Sequence, residues 1–109
     1  MTDSEYVVVL ITASSVDEAD KIAHALVSQR KAACVNIVPS VNSLFWWQNK
    51  IDSAAETMLI AKTRAALLPE LIALVKQNHR YSVPEIIALP IVGGNADYLK
   101  WVDEETKPG

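Results

Sequence analysis

The sequence predicts an α+β fold: a ferredoxin-like βαββαβ sandwich with a long protruding hairpin and an added C-terminal helix. Three observations carry that reading. The segments follow one another as strand, helix, strand, strand, helix, strand, helix, which is two βαβ-like halves joined by a hairpin. The middle pair of strands is too long for a compact chain of this size. The strands are apolar on both of their faces, so neither side of the sheet suits open solvent.

The elements follow in order. Tyr6-Val7-Val8-Val9-Leu10-Ile11-Thr12 is a β-branched run and reads as a strand. Ser15-Val16-Asp17-Glu18 fits a capping box, in which the Ser15 hydroxyl and the Glu18 carboxylate satisfy free amides reciprocally. The helix it opens places Ala19, Ile22, Ala23, Leu26 and Val27 on one stripe. Its end is expected near Arg30-Lys31, where cations suit the negative end of the helix dipole.

The hairpin runs from Ala33 to Thr63: a strand to Trp47, a turn Gln48-Asn49-Lys50, and a return strand from Ile51. The thirteen residues of the return strand span roughly 43 Å at about 3.3 Å each. A compact chain of this length has a radius of gyration near 13 Å, hence a diameter of about 34 Å. The hairpin therefore protrudes. Its far end carries Phe45, Trp46 and Trp47 with little local chain to cover them, which points to another copy of the chain as the cover. Pro39 cannot donate to a ladder and marks a bulge or bend in the first arm. On the return arm Glu56, Met58, Ile60 and Lys62 share one face, and Thr57, Leu59 and Ala61 the other.

A second helix is expected over Ala66–Asn78, with Pro69 in its first turn, where amides are unpaired anyway. Asn78 to Pro84 reads as a loop and Glu85–Val92 as a strand that Pro90 places at an edge or a bulge. Gly93-Gly94 breaks the chain, and Asn95 caps a short helix carrying Tyr98, Leu99, Trp101 and Val102. The tail from Glu104 to Gly109 reads as polar and frayed. Right-handed crossovers put both main helices on one face of the sheet. Either the short last helix covers the other face, or an oligomer does, and only the oligomer also accounts for the hairpin tip.

The 109 residues suit a single domain, 1–109, with one core. Half of them are hydrophobic, 21% are charged, and the net charge is -3, with Lys and Arg scattered rather than striped. That excludes a nucleic-acid-binding face. No apolar run approaches the roughly 20 residues that span a bilayer, and the acidic start Met1-Thr2-Asp3-Ser4-Glu5 lacks a signal-peptide pattern. Cys34 is the only cysteine, so no internal disulfide forms, and the expected compartment is the cytoplasm.

There is no enzyme motif: no glycine-rich phosphate loop, no G-x-S-x-G elbow, no H-E-x-x-H. Without a nucleophile–base pair or a cofactor motif, the chain is read as a non-enzyme with no organic cofactor. With two histidines and one cysteine it cannot build a zinc site alone. His24, mid-helix, reads as a partly exposed helix residue. His79 closes the second helix, where it either faces the dipole or serves as a ligand. Cys34 reads as a small buried hydrophobe. Glu56 and Lys62 stand on an otherwise apolar strand face; if an oligomer buries it, Lys62 needs a carboxylate partner such as Glu85, or a bound anion. Tyr81 and Trp101 read as packing residues whose polar edges can line a cleft. A soft Cys with His and carboxylate suits copper or zinc better than magnesium, with several subunits contributing to full coordination.

Ala32-Ala33-Cys34-Val35-Asn36-Ile37-Val38-Pro39, Trp46, Glu56 with Lys62-Thr63, His79-Arg80-Tyr81 with Val83-Pro84-Glu85, and Tyr98-Leu99-x-Trp101 resemble the CutA family of divalent-cation tolerance proteins, over Val7 to Val102. The resemblance implies a ferredoxin-like subunit, a tight homotrimer, a cytoplasmic protein tied to tolerance of copper and other divalent metals, and no enzymatic activity. It implies metal ligation through His79. It also implies an intersubunit cleft, drawn from Cys34, Glu56, Lys62, Tyr81, Glu85 and Trp101, and trimer packing by Phe45, Trp46 and Trp47. The family is similar in structure to PII-type regulatory trimers, which bind small effectors between subunits; the alternative expectation is thus a PII-like signalling or scaffold trimer that takes a small anionic ligand or a peptide in the cleft. The chain departs from the copper-linked pattern at Ile11, where some relatives carry cysteine, at Asn78, where a second histidine stands, and at Arg80, where proline is usual.

Overall fold

A computed structural model describes residues 4–107; Met1–Asp3 of the acidic start and Pro108–Gly109 of the tail lie outside them. The strands are β1 (Tyr6–Ala13), β2 (Cys34–Trp47), β3 (Lys50–Arg64) and β4 (Ile86–Pro90), and the helices α1 (Val16–Ser28), α2 (Leu68–Asn78) and α3 (Ala96–Glu105). The strand order is β2-β3-β1-β4 and every neighbouring pair is antiparallel, as the ferredoxin-like pattern requires.

Both main helices pack on one face. Val7, Val9, Ile11, Leu59 and Ala61 alternate onto that side and meet Ile22 and Leu26 of α1 and Leu71 and Val75 of α2. Ile11, Leu26, Leu59, Leu71 and Val75 are fully buried. Each such side chain contributes about 1.5–3 kcal/mol through its burial, so this layer holds the fold together.

The opposite face is less complete. Val8, Leu10, Met58 and Ile60 are half-buried, and Ile87 and Leu89 of β4 are exposed. α3 covers one end of it, burying Val102. The tail beyond α3 is not frayed as expected: Thr106 is buried, accepting from Arg64 Nε at 2.9 Å, while Arg64 Nη2 donates to the Thr106 carbonyl at 2.9 Å.

The hairpin extends past the rest of the sheet. β1 pairs with β3 only over Thr57 to Arg64, whereas β2 follows β3 out to the Trp47–Lys50 pair. The longest dimension of the chain is 44 Å, in line with the strand-length estimate. Pro39 sits where the register shifts between Val38 and Val41, and Ser40 takes the left-handed conformation there (φ 66°). The turn is one residue shorter than expected. Gln48 and Asn49 alone form it, both at positive φ (49° and 63°), the requirement of a two-residue I′ turn.

Other local differences follow from capping and chain reversal. α1 ends at Ser28, because Arg30 turns left-handed (φ 57°) and Lys31 N–H returns to the Leu26 carbonyl at 2.8 Å. The second helical segment starts as a 3₁₀ turn, Ala65–Leu67, and Pro69 lies in the first turn of α2. Pro90 ends β4, an edge strand, where no ladder donor is lost on the solvent side. Asn95 caps α3, its Oδ1 accepting from Asp97 N–H at 3.0 Å.

Candidate functional site

Two features frame a cleft of about 730 Å³: the hairpin and the loop from His79 to Glu85. The hairpin supplies Phe45, Trp47, Asp52 and Glu56; the loop supplies Tyr81 and Glu85. Antiparallel pairing puts Phe45 directly opposite Asp52, so an aromatic ring and a carboxylate share one face of the hairpin. Glu56 is buried, and the Tyr81 hydroxyl donates to its Oε2 at 3.3 Å. Burial, then the Glu56 charge and that hydrogen bond, push the Tyr81 hydroxyl above its usual range. Tyr81 therefore stays protonated and remains a donor to Glu56.

Charge in this cleft has one sign: Asp52, Glu56 and Glu85 are its charged lining residues. The rest of the lining mixes aromatic and aliphatic side chains with the hydroxyls of Thr12, Ser43 and Ser82. A cation entering such a cleft meets carboxylates backed by apolar surface, where their field is less screened than in open water. Among the described residues, however, no three of His, Cys, Asp or Glu converge closely enough to hold a metal ion.

His79 stands behind the cleft rather than in it. Its ring is fully buried against Glu18. Nε2 lies 2.7 Å from the Thr12 carbonyl, and Nδ1 accepts from the Tyr81 amide at 3.0 Å. An Nδ1 that accepts from an amide carries no proton, so Nε2 carries it and donates to Thr12. Both ring nitrogens are thereby committed within the chain. His24 is exposed on α1, as expected.

Glu18 is a site residue the sequence reading took for a cap alone. Ser15 does cap α1, its Oγ accepting from Glu18 N–H at 3.1 Å. The carboxylate does not return to the Ser15 amide. Oε1 accepts from Ser14 N–H at 2.8 Å and from the Ser14 hydroxyl at 3.1 Å, while Oε2 accepts from Arg80 N–H at 2.8 Å. Burial pushes the Glu18 carboxyl up, but hydrogen bonds from the Ser14 and Arg80 amides and from the Ser14 hydroxyl outweigh it and leave it below the ordinary carboxylate value. A signal for this was present: Glu18, Ile22 and Leu26 fall at i, i+4, i+8, which puts the carboxylate on the buried stripe of α1.

The residues expected to line a common cleft fall into two places in one chain. Glu56, Tyr81 and Glu85 line the cleft described above. Lys62 lies six positions further along β3, about 20 Å away at 3.3 Å per residue, opposite Cys34 in the β2–β3 pairing. Its ammonium meets the Asn36 side chain, not Glu85. Cys34 is half-buried, and burial beside it pushes the Tyr98 hydroxyl above its usual range. Trp101 packs on Tyr98 with ring centroids 5.5 Å apart. At the hairpin end Trp46 and Trp47 are 72% and 61% exposed and Phe45 38%. No helix among the described residues is long and apolar enough to cross a membrane.

Comparison with known proteins bears on all of this. A family profile described as CutA1 divalent ion tolerance protein matches residues 7–105. The divalent-cation tolerance protein CutA of Thermus thermophilus is 50% identical over 99 residues, covering 91% of this chain and 96% of that protein. The rice protein named CutA 1, chloroplastic, is 46% identical over 101 residues; the match takes in 93% of this chain but only 57% of the rice protein's length. The solved structure of the divalent cation tolerance protein (Cut A1) from Thermus thermophilus superposes with a TM-score of 0.92 at 48% identity, over 94% of this chain and 99% of that one. With the expected strand order, the expected hairpin and a family match over nearly its whole length, this chain belongs to the CutA1 divalent ion tolerance family.

Proposed function

We propose that this protein serves divalent-cation tolerance as a cytoplasmic homotrimer that binds copper or a similar cation in the cleft beside its hairpin. The single observation that carries the reading is the sign of the cleft: every charged side chain lining it is a carboxylate. The trimer rests on the exposed tip residues Phe45, Trp46 and Trp47 and on the half-covered sheet face, which a neighbouring subunit buries. It also completes a ligand set that one chain leaves partial. A reducing compartment suits the lone thiol of Cys34.

Carboxylates suit hard divalent cations, and imidazole suits copper. His79 ligates copper only by giving up the Thr12 carbonyl or the Tyr81 amide. Glu56 and Glu85 carry the cation without that cost. An anionic effector suits this lining poorly, since Lys62 lies outside the cleft and meets Asn36. No catalytic step is assigned.

Calorimetric titration with Cu(II) and with Mn(II) tests this on wild type, Glu56→Gln and His79→Ala. Binding that Glu56→Gln abolishes and His79→Ala leaves unchanged places the cation on the carboxylates. Binding lost only in His79→Ala moves it to the imidazole. A wild-type protein that binds neither ion contradicts the proposal.

A further inference from the structure

The loop that forms one wall of the cleft has little structure of its own. Residues 79–85 belong to no helix or strand, and none of the backbone-to-backbone hydrogen bonds outside the regular elements reaches residues 80–85. What holds its first turn is a pair of side chains. The Glu18 carboxylate takes the Arg80 amide and the His79 ring takes the Tyr81 amide, so two successive N–H groups are gripped from behind. Tyr81 then carries the constraint forward, its hydroxyl reaching Glu56 across the cleft.

We infer that Glu18 is a positioning residue for the cleft, holding the loop from His79 to Glu85 so that Tyr81 and Glu85 face the hairpin carboxylates. The inference deepens the cation-binding reading and rests on it. A capping role alone asks for one carboxylate oxygen, and Gln serves there as well as Glu. Here three donors converge on both oxygens, from Ser14 twice and from Arg80 once. A glutamine has only one acceptor oxygen and turns donors toward donors at the other position. Glu18→Gln therefore separates a clamp from a cap.

Residue 80 supplies the second half of the test. A proline there has no amide to donate. His79 is extended (ψ 143°), the conformation a following proline requires, so Arg80→Pro suits the preceding residue and deletes the clamped N–H together with an exposed side chain. In that background Oε2 has lost its partner, and Glu18→Gln should cease to matter to the loop.

Hydrogen exchange of the Tyr81 amide, the next N–H along the loop and one that Arg80→Pro retains, reads the clamp in both backgrounds. Glu18→Gln is expected to speed it about ten-fold in the wild-type background and less than about two-fold in the Arg80→Pro background. Equal acceleration in both, or acceleration no greater than Ser15→Ala produces, overturns the clamp. Should Glu18→Gln alone fail to fold, Glu18→Gln/Arg80→Pro must fold; failure of both also overturns it. The functional half is read by Mn(II) and Cu(II) titration of folded protein: Glu18→Gln is expected to bind about ten-fold more weakly than wild type. Binding equal to wild type refutes the positioning role. A wild type that binds neither ion refutes the cation reading and with it the positioning role, while the exchange result still decides the clamp.

Discussion

The two faces of the sheet are made from the same strands and end in opposite states. On the side of α1 and α2, Val9, Ile11, Leu59 and Ala61 reach zero exposure. On the other side Val8, Leu10, Met58 and Ile60 are only half-buried, and Ile87 and Leu89 are about half exposed. Composition does not explain the difference, because both sets are aliphatic. Supply of cover does: two helices pack on one face and a single ten-residue helix on part of the other. On the reading proposed above, an apolar surface that lacks cover within its own chain is where another copy packs. The hairpin end repeats the lesson on a smaller scale, with Trp46 beside Ile51 in open solvent.

That contrast can be broken from either side. The largest effect is expected on the closed face. Leu59→Ala should cost about 2–5 kcal/mol in denaturant unfolding, because the cavity has no room to collapse. Ile87→Ala on the open face should cost far less in a dissociated subunit. If Leu59→Ala costs no more than Ile87→Ala, the two faces do not differ as described. Next, Trp46→Ala/Trp47→Ala should weaken self-association by about ten-fold or more, equivalent to about 1.4 kcal/mol, measured by sedimentation across a concentration series. An intact, equally heat-stable assembly contradicts the packing role.

A smaller effect comes from acid. The folded-state pKa of Glu18 lies below its ordinary value of 4.5, so its stabilising contribution is complete above that value. The contribution is lost as pH falls through the folded-state value. Thermal melts from about pH 6 to about pH 3 should show the fall, and Glu18→Gln should flatten it. The smallest effect is the helix cap: Ser15→Ala should cost about 1 kcal/mol, read from the same melts.

Much of the subunit was legible because its signals are local. Strand parity grouped Leu59 and Ala61 on one face, which proves to be the helix side, Pro39 marked a bulge or bend, Pro90 an edge or bulge, and Asn95 the cap of α3. The site was less legible because it depends on contacts between distant parts of the chain. Arg80 meets Glu18 across 62 positions and His79 meets Thr12 across 67. A cap motif says nothing about a carboxylate's second oxygen. Lys62 was expected to need a carboxylate or a bound anion if an oligomer buried its face; within this chain it meets Asn36, its diagonal neighbour on the β2–β3 ladder. The tail looked polar and free, yet Thr106 is buried against Arg64, a pairing visible only once α3 is placed on the sheet.

The claim on which the rest depends is that further copies of this chain cover the open face and the hairpin end. Sedimentation equilibrium of the wild-type protein tests it most directly. A mass three times the 12.0 kDa of one chain, persisting on dilution, is the expected result. A single-chain mass at every concentration would contradict the account.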